Sequence, residues 1–300
     1  VVSLNGDAVV THVVWESEPG KRAVGFIQSQ QRYNRPEADL LYIAPSPCDP
    51  EVVPIWERLL GEAATWAAAH GILRLYAALP ADGPEETVFR KSGYSRYATE
   101  TLHRLERPPG RDAGGAEAPL RSLSERDAWG LRRLYAAVTP LRVQQAEGMI
   151  QNGWRTSAGE WSAGGWDKSL VWESKDGFQA HLGIRRGEEG HWFRLLVRPE
   201  AAGRARELIA HALAAISHWP ERPVYCTVRQ YQAGLLQPLE DLGFVVVGER
   251  ALLVRHMALC VRPALEELVL RLQGAVGASY NSVVKQDCAR AKGVAVLAAA

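Results

Sequence analysis

The chain has 300 residues, 47% of them hydrophobic and 23% charged, with 35 basic against 34 acidic side chains. That composition fits a globular protein of about two domains, and a balanced charge without a basic stripe argues against nucleic acid as a partner. No apolar run reaches the roughly 20 residues of a membrane span, and no signal peptide is visible. Cys48, Cys226, Cys260 and Cys288 form no C-x-x-C pair, so no metal site or disulfide framework is indicated and a reducing, cytoplasmic setting is expected.

In chain order, the first feature is the tetrad Val14-Trp15-Glu16-Ser17, which returns as Val171-Trp172-Glu173-Ser174. Each copy opens a predicted β-hairpin around a Gly-containing turn. Each hairpin is followed by a strand ending in aliphatic-x-Pro, Ile43-Ala44-Pro45 or Val197-Arg198-Pro199. A long helix comes next. Residues 51–70 carry Val52, Ile55, Leu59, Leu60, Ala63 and Trp66, and residues 204–219 carry Leu208, Ile209, Ala212, Leu213 and Ile216, both at helical spacing. A short apolar strand, a second helix ending in Gly93-Tyr94 or Gly243-Phe244, and a last strand complete each copy.

Seven features in one order indicate a duplicated domain, and a repeat this long is no solenoid unit. The expected organisation is a first domain over 1–106, a Pro- and Gly-rich linker over 107–118, a second domain over 119–262, and an unassigned tail over 263–300. The second copy has a strand and two helices before its tetrad, with Ser124 and Asp127 as an acidic variant of the capping box. The first copy has thirteen residues there and starts at Val1, so it is expected to lack the opening strand and both helices.

The order strand, two helices, hairpin, strand, long helix, strand, helix, strand resembles the GNAT superfamily of N-acetyltransferases. The resemblance covers 119–262 fully and the first copy in part, in the manner of tandem acetyltransferase-like proteins of bacterial origin. It implies an α/β (α+β) fold of two tandem domains, each a mixed, mostly antiparallel sheet with flanking helices. It also implies acetyl-CoA or another acyl-CoA as co-substrate, no metal, and a small-molecule or peptide amine as acceptor. By position in the motif, Leu195, Leu196 and Val197 would pair with the pantetheine. Gly203, Arg204, Ala205 and Arg206 would meet the pyrophosphate at a helix N-terminus.

Several positions depart from the family pattern. Ala202 replaces a basic residue, and Ala205 and Glu207 stand where glycines are common. The first copy's loop is proline-rich and acidic, so the second copy is the one expected to bind cofactor. The family's acidic tyrosine is Phe89 in one copy and Leu239 in the other. Tyr231 or Cys226 could stand in as the acid, or serve only core or surface roles. His191, matched by Glu37 in the first copy, is the candidate base, with a surface histidine as the other reading. Glu16 and Glu173 read as turn carboxylates, Trp15 and Trp172 as core. The Trp-rich segment 152–166 reads as an acceptor lid or as hydrophobic closure. Function stays open between an acyl-CoA-dependent N-acyltransferase and a non-catalytic module on the same fold, since fold alone does not decide.

Overall fold

The computed structural model describes residues 2–5, 9–18, 21–32, 35–47, 50–107, 119–148 and 166–257. The side chains of 2–5, 15–18, 21–23 and 50 are outside this description. The linker over 108–118, the Trp-rich segment up to 165, and the tail also lie outside the described residues.

The strands are β1 (Val2–Asn5), β2 (Val9–Glu18), β3 (Lys21–Gln31), β4 (Glu37–Ala44), β5 (Arg74–Pro80), β6 (Ser95–Leu105), β7 (Leu120–Ser122), β8 (Lys168–Ser174), β9 (Gly177–Arg185), β10 (His191–Val197), β11 (Val224–Arg229) and β12 (Val245–His256). The helices are α1 (Val53–Ala69), α2 (Pro84–Lys91), α3 (Ala128–Val138), α4 (Leu141–Ala146), α5 (Ala205–Ile216) and α6 (Leu236–Asp241). All twelve strands form one sheet in the order β1-β2-β3-β4-β5-β12-β6-β11-β10-β9-β8-β7. Pairing is antiparallel throughout except at β4–β5 and β10–β11.

This order contains an exchange. The last strand of the second half, β12, lies between β5 and β6 of the first half. The last strand of the first half, β6, lies between β12 and β11 of the second. Each half therefore completes the other's sheet. The β6–β12 ladder is itself symmetric: its two register shifts skip Tyr97 on one strand and Val247 on the other, which are 150 positions apart. Gly93-Tyr94 and Gly243-Phe244 have the same spacing. A pseudo-two-fold axis therefore passes between β6 and β12 at the pair Glu100↔Arg250.

The cores follow from strand alternation. One face carries α1 and α2 over the first half, with Leu59, Leu60, Leu75 and Phe89 buried, and α5 over the second, with Leu208, Ile209 and Phe193 buried. β12 lends Ala251 and Leu253 to the first core and β6 lends Leu105 to the second. The opposite face carries α3 over Val171, Phe178 and Leu196, and α4 over the central strands through Val143 and Ala146. Full burial of one such leucine contributes about 1.5–3 kcal/mol. On this opposite face of the first half, Val24, Phe26 and Tyr42 are exposed.

Three expectations need correction. The first half does have an opening strand, since β1 pairs with β2 as β7 pairs with β8. Only residues 6–8 separate β1 from β2. The boundaries near 106 and 262 divide the sequence, but residues 1–258 form one compact unit because of the exchanged strands. The repeated tetrads share a strand but not a face. Val14 is buried under α1, whereas Val171 is buried under α3 on the other side. β8 ends at Ser174, one residue nearer its tetrad than Glu18 is to the first, and a bulge follows Trp172. A one-residue change of phase turns every side chain to the opposite face.

The capping box is present: the Asp127 carboxylate accepts from the Ser124 N–H at 2.7 Å and from its hydroxyl at 2.8 Å. Among the described residues no helix is long and apolar enough to cross a membrane.

Candidate functional site

β10 and β11 pair in parallel only from His191↔Val224 to Phe193↔Cys226. β10 then continues to Val197, still paired with β9 on its other side. The two strands part over residues 194–197, leaving a gap open toward the ends of both. The first half repeats this, with β4–β5 pairing confined to Glu37↔Arg74 through Asp39↔Tyr76. The side chains of Leu195 and Val197 belong to the α5 core and that of Leu196 to the α3 core. What these three residues can offer a ligand is backbone. One of those groups is engaged, because Gln232 beyond β11 donates its side-chain N–H to the Leu195 carbonyl at 3.1 Å.

The loop after β10 winds into a 3-10 helix over Pro199–Arg204. Arg204 donates to the Glu207 carboxylate from Nε at 2.8 Å and from Nη2 at 2.5 Å, and its guanidinium lies 4.9 Å from the Trp172 ring centroid. Arg206 pairs with Asp241 at 3.7 Å. Gly203 has open space where a Cβ would go, so close packing does not demand glycine there. Both arginines expected to meet a pyrophosphate have carboxylate partners. These pairs are exposed, and such pairs are worth at most about 1 kcal/mol each, so an anion could compete for them.

On the α3/α4 side of the sheet, ionic side chains converge. Arg229, at the end of β11, donates from Nε to Glu100 at 3.1 Å and from Nη1 to Glu147 at 3.0 Å. Glu100 also accepts from Arg250 at 2.5 Å. The Tyr135 hydroxyl donates to the other oxygen of Glu147. Burial disfavours the Arg229 cation, but Glu147, Tyr97, Tyr231 and Glu100 outweigh it and raise its pKa. Arg194 is pushed down by burial and by Arg229. Burial pushes Tyr231 up, opposed by Arg229 and assisted by Glu147, so its phenol stays neutral near pH 7. Removing one partner from such a buried set leaves another charge uncompensated, at about 3–5 kcal/mol.

Of the residues singled out in the sequence, Tyr231 is in this cluster. His191 is neither on the surface nor placed as a base. It is fully buried against Trp219, and its Nε2 donates to the Pro220 carbonyl at 2.8 Å. The lone pair left on Nδ1 is buried in the α5-side core, with no hydrogen-bond partner among the described residues. Cys226 lies in that same core, where its thiol donates to the Thr227 carbonyl at 3.8 Å and burial drives its pKa up. Glu37 is buried among Arg32, Arg35 and Arg74 at 3.3–3.7 Å. Glu173 is an exposed partner of Arg121. Trp172 packs on the α5 core. Trp166 packs over Gly183, whose Cβ would collide with its ring. The side chains of Trp15 and Glu16 lie outside the described residues.

Glu100, Glu147, Arg229, Tyr135 and Arg194 were not picked out from the sequence, because they come from separate segments that only the sheet order brings together. One local signal existed: β11 alternates Val224, Cys226 and Val228 with Tyr225, Thr227 and Arg229, which marks a strand with a polar face. Among the described residues no group of three or more His, Cys, Asp or Glu side chains could hold a metal.

Comparison with solved structures places this architecture. A GCN5-related N-acetyltransferase from Sphaerobacter thermophilus matches over 84% of this chain and 81% of its own, at 12% identity and a TM-score of 0.52. A conserved protein of unknown function from Staphylococcus epidermidis matches over 82% of this chain and 95% of its own, at 10% identity and a TM-score of 0.55. A tandem GNAT protein from the clavulanic acid biosynthesis pathway matches over 84% of this chain and 83% of its own, at 16% identity and a TM-score of 0.49. No protein-family model and no curated protein matches the sequence. The chain has the fold of the GCN5-related N-acetyltransferases, built as two halves of one sheet.

Proposed function

We propose that the protein is an acyl-CoA-dependent N-acyltransferase, with acetyl transfer to an amine as its simplest reaction, and that its reacting centre lies in the second half. The observation that carries this reading is the gap between β10 and β11 on this fold, flanked by Arg229, Glu147 and Tyr231. Backbone at residues 194–197 suits a ligand amide, once Gln232 yields the Leu195 carbonyl. The Glu147 carboxylate, held by Arg229 and Tyr135, takes one proton from the acceptor's ammonium, and the neutral amine then attacks the thioester carbonyl. As the C–N bond forms and the C–S bond breaks, neutral Tyr231 gives its proton to the departing thiolate, and the second proton shed by the nitrogen returns through water to Tyr231. The acceptor is a small-molecule or peptide amine. A cytoplasmic location goes with this reading, supported by the free buried thiol of Cys226.

The test is calorimetric titration with acetyl-CoA, followed by thiol release with a panel of amines. Glu147→Gln and Tyr231→Phe should each lower turnover by about 10²–10⁴-fold. A wild-type protein that neither binds acetyl-CoA nor releases thiol leaves the second reading, a non-catalytic ligand-binding or interaction module. That reading draws on Gln232 at the Leu195 carbonyl and on the carboxylate-paired Arg204 and Arg206.

A further inference from the structure

A cleft of about 910 Å³ opens where the two halves meet, at the stretch of β6 that runs beyond the end of β11. The first half supplies most of its wall, from the loop before α2, from α2 itself and from β6. The second half supplies Arg142 of α4 and Gln230. Its charges are unevenly paired. Arg96 is fully engaged, by Asp82 at 2.9 Å, Glu86 at 3.4 Å and the Thr99 hydroxyl at 2.6 Å. That uses both acidic groups of the lining. Arg90 and Arg142, both exposed, have no acidic partner among the described residues. Tyr94 also lines the cleft, is 3% exposed, and its hydroxyl has no hydrogen-bond partner among the described residues. A buried polar atom left unpaired is uncommon. A cavity of this volume is in the range of small-molecule sites.

We infer that this cleft is an anion-recognising acceptor pocket built from both halves, which takes an amine whose other end carries a carboxylate or a phosphate. The inference rests on the acyltransferase reading for the acceptor role and on the cleft alone for the anion. Arg90 and Arg142 hold the anionic end, for which guanidinium groups are well matched. The reacting centre adjoins the cleft: Gln230 stands between Arg229 and Tyr231 in the chain, and Arg142 begins the helix that leads to Glu147. Five residues of helix rise about 7.5 Å. Side chains five residues apart leave the helix about 140° apart, so the rise is only the axial part of what a molecule with its charged end at Arg142 and its amine at Glu147 must span. The acceptor specificity of the second half would then be written largely in residues of the first.

The experiment is calorimetric titration of the full chain with matched amines: 4-aminobutyrate against butylamine, and O-phosphoethanolamine against ethanolamine. The two pairs separate carboxylate from phosphate as the recognised group. The anionic member of at least one pair should bind at least about tenfold more tightly than its neutral partner. Arg90→Gln and Arg142→Gln should each weaken it by about tenfold, and Arg90→Lys should keep part of the binding. Equal binding within both pairs, or full affinity in both Gln variants with their melting unchanged, overturns the inference. Acetyl-CoA titrated separately tells the two failures apart. Acetyl-CoA binding without anion preference removes the pocket and leaves the acyltransferase. Arginine-dependent anion binding without acetyl-CoA binding supports the anion site and overturns its acceptor role.

Discussion

Glu100 and Arg250 face each other across β6 and β12 on the pseudo-two-fold axis, Nη2 of the arginine 2.5 Å from Oε1 of the glutamate, and each is the other's counterpart in its own half. Two identical halves would put like charges opposite each other here, which is destabilising across a ladder. The two copies instead carry opposite charges. Glu100 has a second duty, because its other oxygen holds Arg229.

This makes the pair asymmetric under mutation. Glu100→Gln should destabilise the protein by about 3–5 kcal/mol, read from urea unfolding. The charge swap Glu100→Arg with Arg250→Glu restores the axial pair but sets two buried cations together at Arg229. The swap should therefore be no more stable than Glu100→Gln. Recovery to wild-type stability would mean that the axial pair alone matters and Arg229 is held by Glu147.

The exchange of β6 and β12 predicts that the halves do not fold apart. Residues 1–118 alone lack the strand between β5 and β6, and residues 119–300 alone lack the strand between β11 and β12. Each would expose three unpaired strand edges, one on the strand left at the break and two on the stranded last strand, which invite aggregation. Expressed separately, the fragments should be aggregated or unfolded. Expressed together, they should assemble one to one with the circular dichroism of the intact chain. A monomeric, cooperatively melting single half would refute the exchange.

The local elements were legible because their patterns are local. Leu59, Leu60 and Ala63, like Leu208, Ile209 and Ala212, recur at helical spacing, and the observed α1 and α5 fall within one to three residues of the expected ends. The exchange was not legible. The last strands of both halves, β6 and β12, each read simply as a strand after a Gly-aromatic pair, and nothing in either sequence says which slot it fills. The tetrad misled in phase because a sequence match does not record a bulge. His191 was placed at its strand start correctly, but the face it points to depends on the helix packed beneath it.

The buried histidine His181 predicts an acid sensitivity. Burial, helped by Arg194, lowers its pKa from 6.5 to about 3, and its Nε2 is 2.7 Å from the Ser169 hydroxyl. The folded ring stays neutral while the unfolded ring takes a proton near pH 6.5. Its contribution is fully present above pH 6.5 and is lost as pH falls toward about 3, at up to about 1.4 kcal/mol per unit. His181→Asn should cost stability at pH 8. Its deficit against wild type should shrink by about 2 kcal/mol between pH 6.5 and 5. A deficit constant with pH would show that the ring gains its proton in the folded state as well.

Gln232 predicts a gain of binding by mutation. Its amide holds the Leu195 carbonyl in the gap where a ligand amide would pair, and it sits at a kink in the 3-10 turn Gln230–Leu235, with φ −112° and ψ 32°. Gln232→Ala removes the internal donor and leaves the carbonyl free. Loss of one buried hydrogen bond should lower stability by about 1 kcal/mol. A ligand that must displace that bond in the wild type meets no competitor in the variant, so acetyl-CoA should bind about fivefold more tightly. The two effects have opposite signs, which separates them from general loosening of the site. Tighter binding with lower stability places the acyl-CoA chain in the gap between β10 and β11. Weaker binding with lower stability makes Gln232 part of the ligand site rather than its occupant.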